Sequence, residues 1–467
     1  AWNGPDDPHD PYNWSTFRKV TIGVIFSLGQ LVTTMSASMI AASLDDIILD
    51  LGISEATAQV VFSTFFLGLA FGPFVIAAVA EMHGRKWIWV GAQSWYILWN
   101  ALCPVGNSTG VMIVGRFMSG VGAASGTTLT GPVMADLYRK EERGKSIAIA
   151  SLLPYLGPAL GPILGGFVTQ WVQWQWTFWI MSLVNLVLTL AGLVMLRESY
   201  TPVLLRRKAG AVVAALPKTE QPWNWHLGMG FVARFGVAIL RPVMMLVRRP
   251  IIQIVSVVVA VDFGIYTLQL STFATLWIRK YGETASQASL HYISITIGIT
   301  IATQIGGHIM DWMYKRLRDQ EMNGGGRPEF RMPYMLPGVI LAVVGLFWYG
   351  WAAERVDHWV VVDVGSVVFN LGNFVLNQAL MAYQLDEFAD HAASANAASK
   401  MLSYLFGFMF PVFAPKLFDA LGYGWGNSLL GFVWLGLGGP VPVVLWVWGA
   451  KLRATGRKDG EHGIGSG

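Results

Sequence analysis

The sequence SLLPYLGPALGPILGGFVTQWVQWQW at residues 151–176 is apolar, yet its middle holds four glycines and two prolines within ten residues. In a helix surrounded by water, each glycine costs about 1 kcal/mol and each proline about 3 kcal/mol relative to alanine. In a bilayer no water rewards an exposed backbone, so such a chain stays helical, and its small residues let a neighbouring helix approach closely. Gly157, Gly161 and Gly165 recur every four residues on one face, with Pro158 and Pro162 beside it. The stretch predicts a membrane-spanning helix whose glycine face is either a fixed packing surface or a pliable one between moving helices.

The composition of the 467-residue chain agrees with a membrane location. Hydrophobic residues make up 54% and charged residues 13% of the chain, and the mean hydropathy is +0.49. Because soluble proteins carry about 25% charged residues, these values indicate a membrane protein with many spans. Cys103 is the only cysteine, which excludes an intramolecular disulfide. The acidic, polar start AWNGPDDPHDPYNW lacks the pattern of a cleavable signal peptide.

Twelve apolar stretches are long enough to cross a bilayer, whose core of about 30 Å needs roughly 20 helical residues. They form two groups of six, separated by a polar connector at residues 197–249. We therefore expect an all-α membrane protein with an N-terminal bundle (20–196), a C-terminal bundle (250–449) and cytosolic segments at 1–19 and 450–467. The spans, numbered 1 to 12, are residues 20–43, 56–80, 87–105, 109–133, 146–169, 175–196, 250–272, 286–309, 334–353, 359–384, 393–415 and 425–449.

The distribution of positive charge predicts the orientation of these spans. With the N-terminus in the cytosol, 26 of the 32 Lys and Arg residues fall in cytosolic segments. The outer loops hold only Arg279, Lys280, Arg355 and Lys416. This asymmetry is what the positive-inside rule requires, so we expect both termini in the cytosol. The same rule accounts for the basic loops, and we therefore expect no nucleic-acid partner.

A cytosolic loop motif occurs once in each half of the chain. AAVAEMHGRK lies between spans 2 and 3, and GHIMDWMYKR between spans 8 and 9, with the same spacing from the first position to an acid and a basic pair. Such acids and bases can form ion pairs that break and form again as two halves move, and an internal repeat is typical of transporters. The residues concerned are Glu81, Gly84, Arg85 and Lys86 in the first copy and Gly307, Asp311 and Arg316 in the second.

Several of these stretches resemble one transporter family. GPALGPILGG at residues 157–166 resembles the span 5 antiporter motif of the major facilitator superfamily, although Ala148 stands where the family has an upstream glycine. The two loop copies resemble that family's cytoplasmic loop motif. RESYTPVLLRRKAG from Arg197 and FPVFAPKLFDALGYGWGNSLLG from Phe410 resemble its fungal drug:proton antiporters with twelve spans. The resemblance runs from Asp10 to Arg453.

This resemblance implies a major facilitator fold, with twelve transmembrane helices in two pseudo-symmetric six-helix bundles. It also implies a secondary active transporter that exports an organic small molecule, such as a drug, an organic acid or a secondary metabolite, in exchange for protons. Transport would proceed by alternating access, with the substrate bound near the midplane between the two bundles. A proton entering from outside would neutralise an acid and free the opposing cation or the substrate.

Span 4 carries Arg116 inside the membrane. A charge there costs at least about 2.5–3.5 kcal/mol and rarely persists without a role. Small and polar residues follow it on the same helical face, which we expect to line a cavity. The match to the family's R-x-x-x-G motif implies that Arg116 assists proton coupling, while capping by backbone carbonyls is the structural alternative. The following loop resembles the family's acidic–basic loop, which implies that Asp136 and Arg143 help to close the inner gate.

Span 7 places Asp262, Tyr266 and Gln269 on one face. A buried carboxyl is protonated more readily than one in water, so Asp262 could exchange a proton near neutrality or bind a cationic substrate. Two alternatives remain open at this point. Asp262 could neutralise Lys400 or Arg116 in a static ion pair, or it could lie at the cytosolic end of the span.

Polar residues also line spans 10 and 11. The stripe on span 10 is either a hydrogen-bonding cavity wall, which we favour, or a helix–helix contact. Span 11 carries Asn396 and Lys400, and Ser403 stands where the fungal family usually has an arginine. Within the spans, the two cations Arg116 and Lys400 outnumber the one clearly buried acid, Asp262. This excess of positive charge favours an anionic or neutral, oxygen-rich substrate. The span 10 stripe comprises Asp363, which could lie at the outer mouth, and Asn370, Asn373, Asn377 and Gln384.

These expectations define three groups of site residues. Proton coupling is assigned to Arg116 and Asp262. Gating is assigned to the two loop copies, Asp136, Arg143 and the span 5 positions Gly157, Gly161, Pro162, Gly165 and Gly166. Substrate contacts are assigned to Gln30, Thr34, Arg116, Asp262, Tyr266, Gln269, Asn370, Asn373, Asn377, Asn396 and Lys400.

Other functions and partners are constrained by what the sequence lacks. It has no Walker A motif, Cys/His cluster or hydrolytic constellation, so we expect no catalytic residues, metal or cofactor, and not an enzyme. His291 and His308 are expected to be structural. The expected partners are the substrate, protons and the bilayer, with the chain a monomer in the plasma membrane rather than the vacuole. A proton-coupled importer or facilitator is the nearest alternative, and a transporter-like receptor without flux is the alternative from another class.

Overall fold

The computed structural model of the protein describes residues 2, 4, 7–138, 153–215, 236, 242–321, 327–388 and 392–458. All regular secondary structure in this part of the chain is helical. The longer helices are Thr16–Ser38, Leu44–Leu51, Glu55–His83, Arg85–Leu102, Thr109–Leu137, Gly157–Trp171, Gln175–Met195, Thr201–Ala215, Pro250–Tyr281, Tyr292–Gln320, Met332–Arg355, Trp359–Glu387, Ala392–Gly438 and Val441–Lys458. A short helix, Ala285–Leu290, and 3-10 turns at Pro11–Asn13, Ala41–Ser43, Leu153–Leu156 and Pro328–Arg331 complete the described elements.

The helices coincide with the twelve predicted spans. Spans 1 to 10 each contain one principal helix, and spans 11 and 12 share the last two helices. Eight helical stretches of the described chain are long and apolar enough to cross a membrane, and the last of them, Ala395–Arg453, contains spans 11 and 12. Spans 3, 4 and 5 are helical too, but they are more polar or, in span 5, only 15 described residues long. The prediction of an all-helical membrane protein is therefore confirmed.

Glycines in the left-handed backbone region end helices where the sequence predicts a turn. Gly84 has φ 103° between spans 2 and 3, and Gly282 has φ 71° after span 7. Gly422, with φ 68° and ψ 177°, separates span 11 from span 12 inside the helix Ala392–Gly438. Residues with a side chain are strained at such φ values, so these positions favour glycine. Span 12 is interrupted once more before Pro440, and its helix resumes at Val441.

The Cα positions group the chain into two compact units. Unit 1 comprises residues 1–36, 71–157 and 178–240, and unit 2 comprises residues 37–70, 158–177 and 241–467. Unit 2 therefore contains the C-terminal half of the chain together with the second part of span 1, the first part of span 2 and most of span 5. The division of the sequence into bundles at 20–196 and 250–449 stays a prediction.

Small residues and aromatic rings form the interior of unit 1. Trp89 is completely buried against Phe26, with 5.5 Å between the ring centroids. A Cβ on Gly122 would lie 2.7 Å from the carbonyl oxygen of Ala92, so spans 3 and 4 pack backbone to backbone. Cys103 is 2% exposed, and its Sγ would lie 2.7 Å from a Cβ on Gly115. Close helix packing by small residues is the pattern expected inside a bilayer.

Unit 2 has a continuous apolar core. It runs through spans 7, 9 and 10 and continues into spans 11 and 12, with Phe369 and Trp434 fully enclosed. A Cβ on Gly345 would lie 2.2 Å from the amide nitrogen of Phe369, and one on Gly372 would lie 2.2 Å from that of Ala342. Spans 9 and 10 therefore touch through their backbones. This rigid packing positions the polar side chains of spans 7 and 10 described below.

Candidate functional site

Asp262 lies in the middle of span 7 and is 1% exposed. Its Oδ1 accepts a hydrogen bond of 2.9 Å from Asn373 Nδ2, and its Oδ2 accepts a short one from Asn377 Nδ2. No Lys, Arg or His in the described part of the chain lies within salt-bridge distance of this carboxyl. Asp262 is thus a buried carboxyl held by two neutral amides. This arrangement differs from a static ion pair with Lys400.

A second polar contact between spans 7 and 10 lies about two helical turns further along. Gln269 Nε2 donates to Ser366 Oγ at 3.2 Å, and Asn370 Nδ2 donates to Gln269 Oε1 at 3.1 Å and to the Ser366 carbonyl at 2.8 Å. Asn370 and Asn373 are both buried. Their hydrogen bonds favour the helix-contact interpretation of the span 10 stripe for these two residues. Asn377 is half-buried, and its role as a cavity residue stays a prediction.

Aromatic rings pack next to Asp262. Tyr266 is buried against Phe374 and Phe263, with ring centroids 6.1 Å and 5.9 Å away. Phe263 also contacts Phe66 and Tyr404 edge-on, at 5.7 Å and 5.5 Å. The rings supply flat apolar surface beside the polar carboxyl. Such a combination of aromatic surface and few polar groups is typical of sites for organic ligands.

Span 11 presents Lys400 at an exposed position. The adjacent Ser399 and Ser403 are buried, whereas the Lys400 side chain is exposed and Asn396 is half-buried. No carboxylate among the described residues lies within salt-bridge distance of Lys400. Ser399 instead joins span 11 to its neighbours, through Ser256 at 2.7 Å and Gln384 at 2.6 Å. Lys400 is therefore a cation available to an anionic group.

Arg116 is completely buried in unit 1. Its Nη1 donates to the carbonyl of Ser36 at 3.0 Å, and the Ser36 hydroxyl lies 2.5 Å from the hydroxyl of Tyr96. A backbone carbonyl of span 1 thus caps the guanidinium, as in the structural alternative. In span 1, Gln30 is half-buried, and Thr34 Oγ1 donates to the carbonyl of Pro154 at 3.0 Å. The roles of these residues in coupling and substrate binding stay predictions.

The first loop copy forms a charged cluster in unit 1. Arg85 Nε lies 3.3 Å from Asp136 Oδ2, and the guanidinium stands 4.4 Å from the centroid of the Tyr200 ring. Burial, the largest cause, raises the pKa of Tyr200, so the ring stays a neutral phenol beside Arg85. Glu198 accepts the backbone N–H of Arg85 at 2.7 Å and of Lys86 at 3.2 Å. An acid at the N-terminus of a helix is stabilised by the free amides there.

This cluster refines the sequence prediction. It contains Arg85 and Asp136, two of the residues assigned to gating, while Glu81, the predicted partner of Arg85, is exposed. The gating role stays a prediction. Glu198, which the motif spacing did not indicate, takes the position next to Gly84: its Oε2 would lie 2.2 Å from a Cβ on that glycine. A single loop motif does not predict that the residues after span 6 pack against the start of span 3. Arg143 lies outside the described residues.

The second half has a similar cluster built from other residues. Arg331 Nε lies 2.6 Å from Asp386 Oδ2, and its Nη1 lies 3.4 Å from Asp311 Oδ1. The same guanidinium stands 4.7 Å from the centroid of the Tyr314 ring. Arg316 instead lies over Trp312 at 5.4 Å. Asp311 belongs to the expected copy, but Arg331, at the start of span 9, makes the contacts that Arg85 makes in the first half.

The glycines of span 5 are sites of close approach. A Cβ on Gly157 would lie 2.0 Å from Thr34 Oγ1, and one on Gly165 would lie 2.0 Å from the carbonyl oxygen of Met39. A Cβ on Gly166 would lie 2.5 Å from the carbonyl oxygen of Ala285. Gly161 and Pro162 are buried. Gly157 and Gly165 therefore face span 1, and Gly166 faces the helix before span 8. Whether these contacts are pliable stays a prediction.

A cavity of about 270 Å³ lies in unit 2 at the ends of spans 1, 2, 7 and 11. Arg279 crosses its wall and pairs with Asp45 at 2.6 Å and with Glu55. Lys280 pairs with Glu354 at 3.3 Å. The sequence places Arg279 and Lys280 in outer loops but does not indicate their acidic partners, because Asp45 and Glu55 are more than 200 residues away and Glu354 follows another span.

Comparisons with known proteins agree with this architecture. Residues 26–411 match the family model described as Major Facilitator Superfamily. The chain is 36% identical over 433 residues to the probable efflux pump mfs2 of Aspergillus flavus, covering 91% of this chain and all of that protein. It is 34% identical over 462 residues to the efflux pump vrtL of Penicillium aethiopicum, covering 98% and 90% of the two chains.

Solved structures show the same fold at low sequence identity. The xylose transporter XylE from E. coli, in a partially occluded inward open conformation, has a TM-score of 0.65 and 14% identity, covering 92% of this chain and 98% of that one. A bacterial homologue of the human lysosomal transporter Spinster has a TM-score of 0.64 and 14% identity, covering 95% and 98%. With the extent of the family match and the fungal relatives, these likenesses establish that the chain belongs to the major facilitator superfamily, is a multi-pass membrane transporter rather than an enzyme, and has the twelve-helix fold.

Proposed function

We propose that this transporter exports an organic small molecule in exchange for protons, and that Asp262 carries the coupled proton. The observation that carries the proposal is the setting of the Asp262 carboxyl, which is 1% exposed and contacts two amides but no cation among the described residues. An ionised carboxyl inside a membrane costs roughly 2.5–3.5 kcal/mol on insertion scales. Hydrogen bonds to a charged group return about 1.5–3 kcal/mol each.

These opposing contributions support the proposal that both protonation states of Asp262 are accessible. Two amide donors together return about 3–6 kcal/mol, enough to offset the cost of the ionised form, whereas a partner Lys or Arg would hold the carboxyl permanently ionised. The protonated form needs no compensating cation. A group whose two states differ by only a few kcal/mol can take up a proton on one side of the membrane and release it on the other as its surroundings change.

The substrate class follows from the remaining charges. Lys400 is exposed and has no carboxylate partner among the described residues, whereas the Arg116 guanidinium is directed to the Ser36 carbonyl. An anionic or oxygen-rich group would satisfy Lys400, and the rings around Tyr266 would contact apolar parts of the molecule. Organic acids and oxygen-rich secondary metabolites have this combination of groups.

Exchange needs only that substrate and proton favour different states of the transporter. A ligand shifts a conformational equilibrium by its difference in affinity for the two states. If protonation of Asp262 stabilises one state and substrate the other, the two are exchanged through a single site region. The export direction is supported by the relatives named as efflux pumps and by the span 5 motif.

We further propose that the chain works as a monomer in the plasma membrane with both termini in the cytosol. The excess of Lys and Arg in the segments assigned to the cytosol supports this orientation. Epitope tags at each terminus, tested in intact and permeabilised cells, should become accessible only after permeabilisation. Labelling of intact cells would contradict it.

The substrate and the direction of transport can be tested in two steps. The metabolites of the medium and of the cells are compared between strains with and without the gene, and the substrate is the compound that accumulates inside without it. That compound is then loaded into proteoliposomes containing the purified chain, and its flux is measured with the pH gradient imposed in either direction. Flux driven against a concentration gradient by an opposing proton gradient is expected. Movement in the same direction as protons would identify an importer, flux without pH dependence a facilitator, and saturable binding without flux a receptor.

A further inference from the structure

A compact group of three titratable side chains lies where span 7 connects to span 8. His291 precedes the long helix of span 8, Glu283 lies in the connection, and Asp363 lies in the first turns of span 10. The imidazole Nδ1 is 2.7 Å from Asp363 Oδ2, and Nε2 is 3.1 Å from Glu283 Oε2. The side chains are 11%, 15% and 23% exposed for His291, Asp363 and Glu283. None of the three belongs to the site around Asp262.

The geometry of this group requires a proton. A neutral imidazole has one N–H and one bare nitrogen, so it can donate to only one of two carboxylates. The other nitrogen would then direct its lone pair at a carboxylate oxygen, which is repulsive. Only the imidazolium form donates from both nitrogens at once, and it also leaves one net negative charge instead of two. Both short contacts are therefore satisfied when His291 holds an added proton.

Two tryptophan rings next to His291 stabilise the imidazolium form. The indole of Trp277 lies parallel to it, with 3.7 Å between ring centroids and 10° between planes, and Trp359 approaches edge-on at 5.8 Å. A cation against the face of an indole is stabilised by the ring quadrupole. Trp277 is completely buried, so water does not screen this side of the group.

No other cation in the described part of the chain balances the two acids. Neither Glu283 nor Asp363 has a Lys or Arg within salt-bridge distance there. The other groups that face them are uncharged: the Ser294 hydroxyl, which donates to the His291 carbonyl at 2.7 Å, and the phenols of Tyr281 and Tyr349. Tyr281 donates its own proton to the carbonyl of Asp357, and the second ionisable ring nearby, His358, lies against Trp359.

We propose that His291, Glu283 and Asp363 form a second proton-binding site, separate from Asp262, that opens to the outer side of the membrane. Binding converts neutral His291 and one proton from the outer solution into the imidazolium, whose new N–H bonds the second carboxylate. Loss of the proton returns it to the same solution and leaves two carboxylates beside a neutral ring. With the proton bound, hydrogen bonds from His291 to both carboxylates hold the ends of spans 7, 8 and 10 together. Without the proton, one of these two hydrogen bonds is lost and the contact between the span ends is weaker. The outer location rests on the proposed orientation; the site itself does not.

The site can be tested without a transport substrate. The full chain is purified in detergent with isotope-labelled histidine, and the ring protonation of each histidine is followed by NMR across the pH range. The His291 signal is identified by its loss in His291→Gln and, should that variant not accumulate, in His291→Arg, which keeps two donors for the two acids. His308→Gln serves as the matched control, because His308 is exposed and its one hydrogen bond within the described residues is to the Gln304 carbonyl of its own helix.

We expect the His291 signal to be that of an imidazolium at neutral pH. In Glu283→Gln and in Asp363→Asn, removal of one carboxylate should lower the ratio of imidazolium to imidazole at the same pH by about tenfold or more. A neutral His291 ring at neutral pH, or a ratio unchanged in both amide variants, would overturn the proposal. Asp262→Asn should leave the His291 signal unaltered. The NMR measurement involves no flux and is therefore independent of the transport assay. Absence of proton-driven export would not contradict the second proton site, and a neutral His291 ring would not contradict proton-driven export.

Discussion

Replacement of Asp262 by asparagine should abolish the coupling of substrate transport to the proton gradient. The carboxyl lies between Asn373 Nδ2 at 2.9 Å and Asn377 Nδ2, so each oxygen accepts one amide N–H. Asparagine has nearly the same shape but cannot bind or release a proton near neutral pH. The variant should therefore keep the span 7 to span 10 contact in part while losing proton exchange at this position.

The size of the effect follows from the two hydrogen bonds. Asparagine offers one acceptor oxygen, so one of the two amide donors meets an NH₂ group and loses its acceptor. A buried donor left without a partner costs about 1–3 kcal/mol, and reorientation of the Asn377 amide can recover part of this. We expect a loss of about 1–2 kcal/mol in stability, too little to unfold the protein. Flux driven by an imposed pH gradient should fall by at least about tenfold.

Two measurements check this prediction. In proteoliposomes, flux of the substrate identified by the strain comparison is recorded with and without a pH gradient, for the wild type and for Asp262→Asn. Independently, the carbonyl stretching band of a protonated carboxyl is recorded by infrared difference spectroscopy between acidic and basic samples, and it should lose intensity in the variant. Asp319→Asn is the matched control, because Asp319 is 67% exposed and its one ion pair among the residues that the structure describes is with the neighbouring Arg318. Full retention of pH-driven flux in Asp262→Asn would refute the assignment of the coupled proton.

Three further changes test other contacts. Gly165→Ala should destabilise the protein by about 1–3 kcal/mol and slow transport, because the new methyl group would lie 2.0 Å from the Met39 carbonyl. Gly91→Ala is the matched control and should be neutral, because a Cβ on Gly91 meets no atom of the described residues within 4 Å; equal thermal melting of the two variants would contradict this. Arg331→Ala should reduce flux in proteoliposomes more than Arg316→Ala, since Arg331 forms ion pairs with two acids. A larger loss of flux in Arg316→Ala would contradict this and would favour the motif position, Arg316, as the gating residue. Arg279→Gln should change stability by less than about 1 kcal/mol, because the Arg279 side chain is 44% exposed and solvent weakens its ion pairs with Asp45 and Glu55; a loss of several kcal/mol in a denaturation experiment would contradict this.

The fold could be predicted from the sequence to a large extent. Length, hydropathy and the asymmetry of Lys and Arg identify twelve spans because the bilayer imposes one helix length and one charge rule. The small differences come from local chemistry. Span 1 was predicted as a single stretch, but the 3-10 turn Ala41–Ser43 follows its principal helix, and Gly422 sets the junction of spans 11 and 12 that hydropathy located only within ten residues.

The contacts of the site could be predicted only in part. Periodicity placed Asp262, Gln269 and Asn370 on inward faces, since residues three, four and seven apart share a helix face. It could not assign their partners, which depend on how two helices rotate and slide against each other. The buried carboxyl therefore contacts amides of span 10 and not Lys400 of span 11, which the sequence offers as an alternative partner. His291, expected to be structural as a lone histidine, has two carboxylate neighbours that are distant or unremarkable in the sequence.

The enclosure of the sole cysteine makes the protein a convenient object for site-directed spectroscopy. With its thiol shut in against the backbone of span 4, Cys103 should resist water-soluble maleimides and spin labels. A cysteine introduced at an exposed position outside the candidate site, such as the tip of an outer loop, would then be the one reactive thiol. Spin labels on pairs of such cysteines would report distances during the transport cycle, and the native Cys103 would not have to be replaced first.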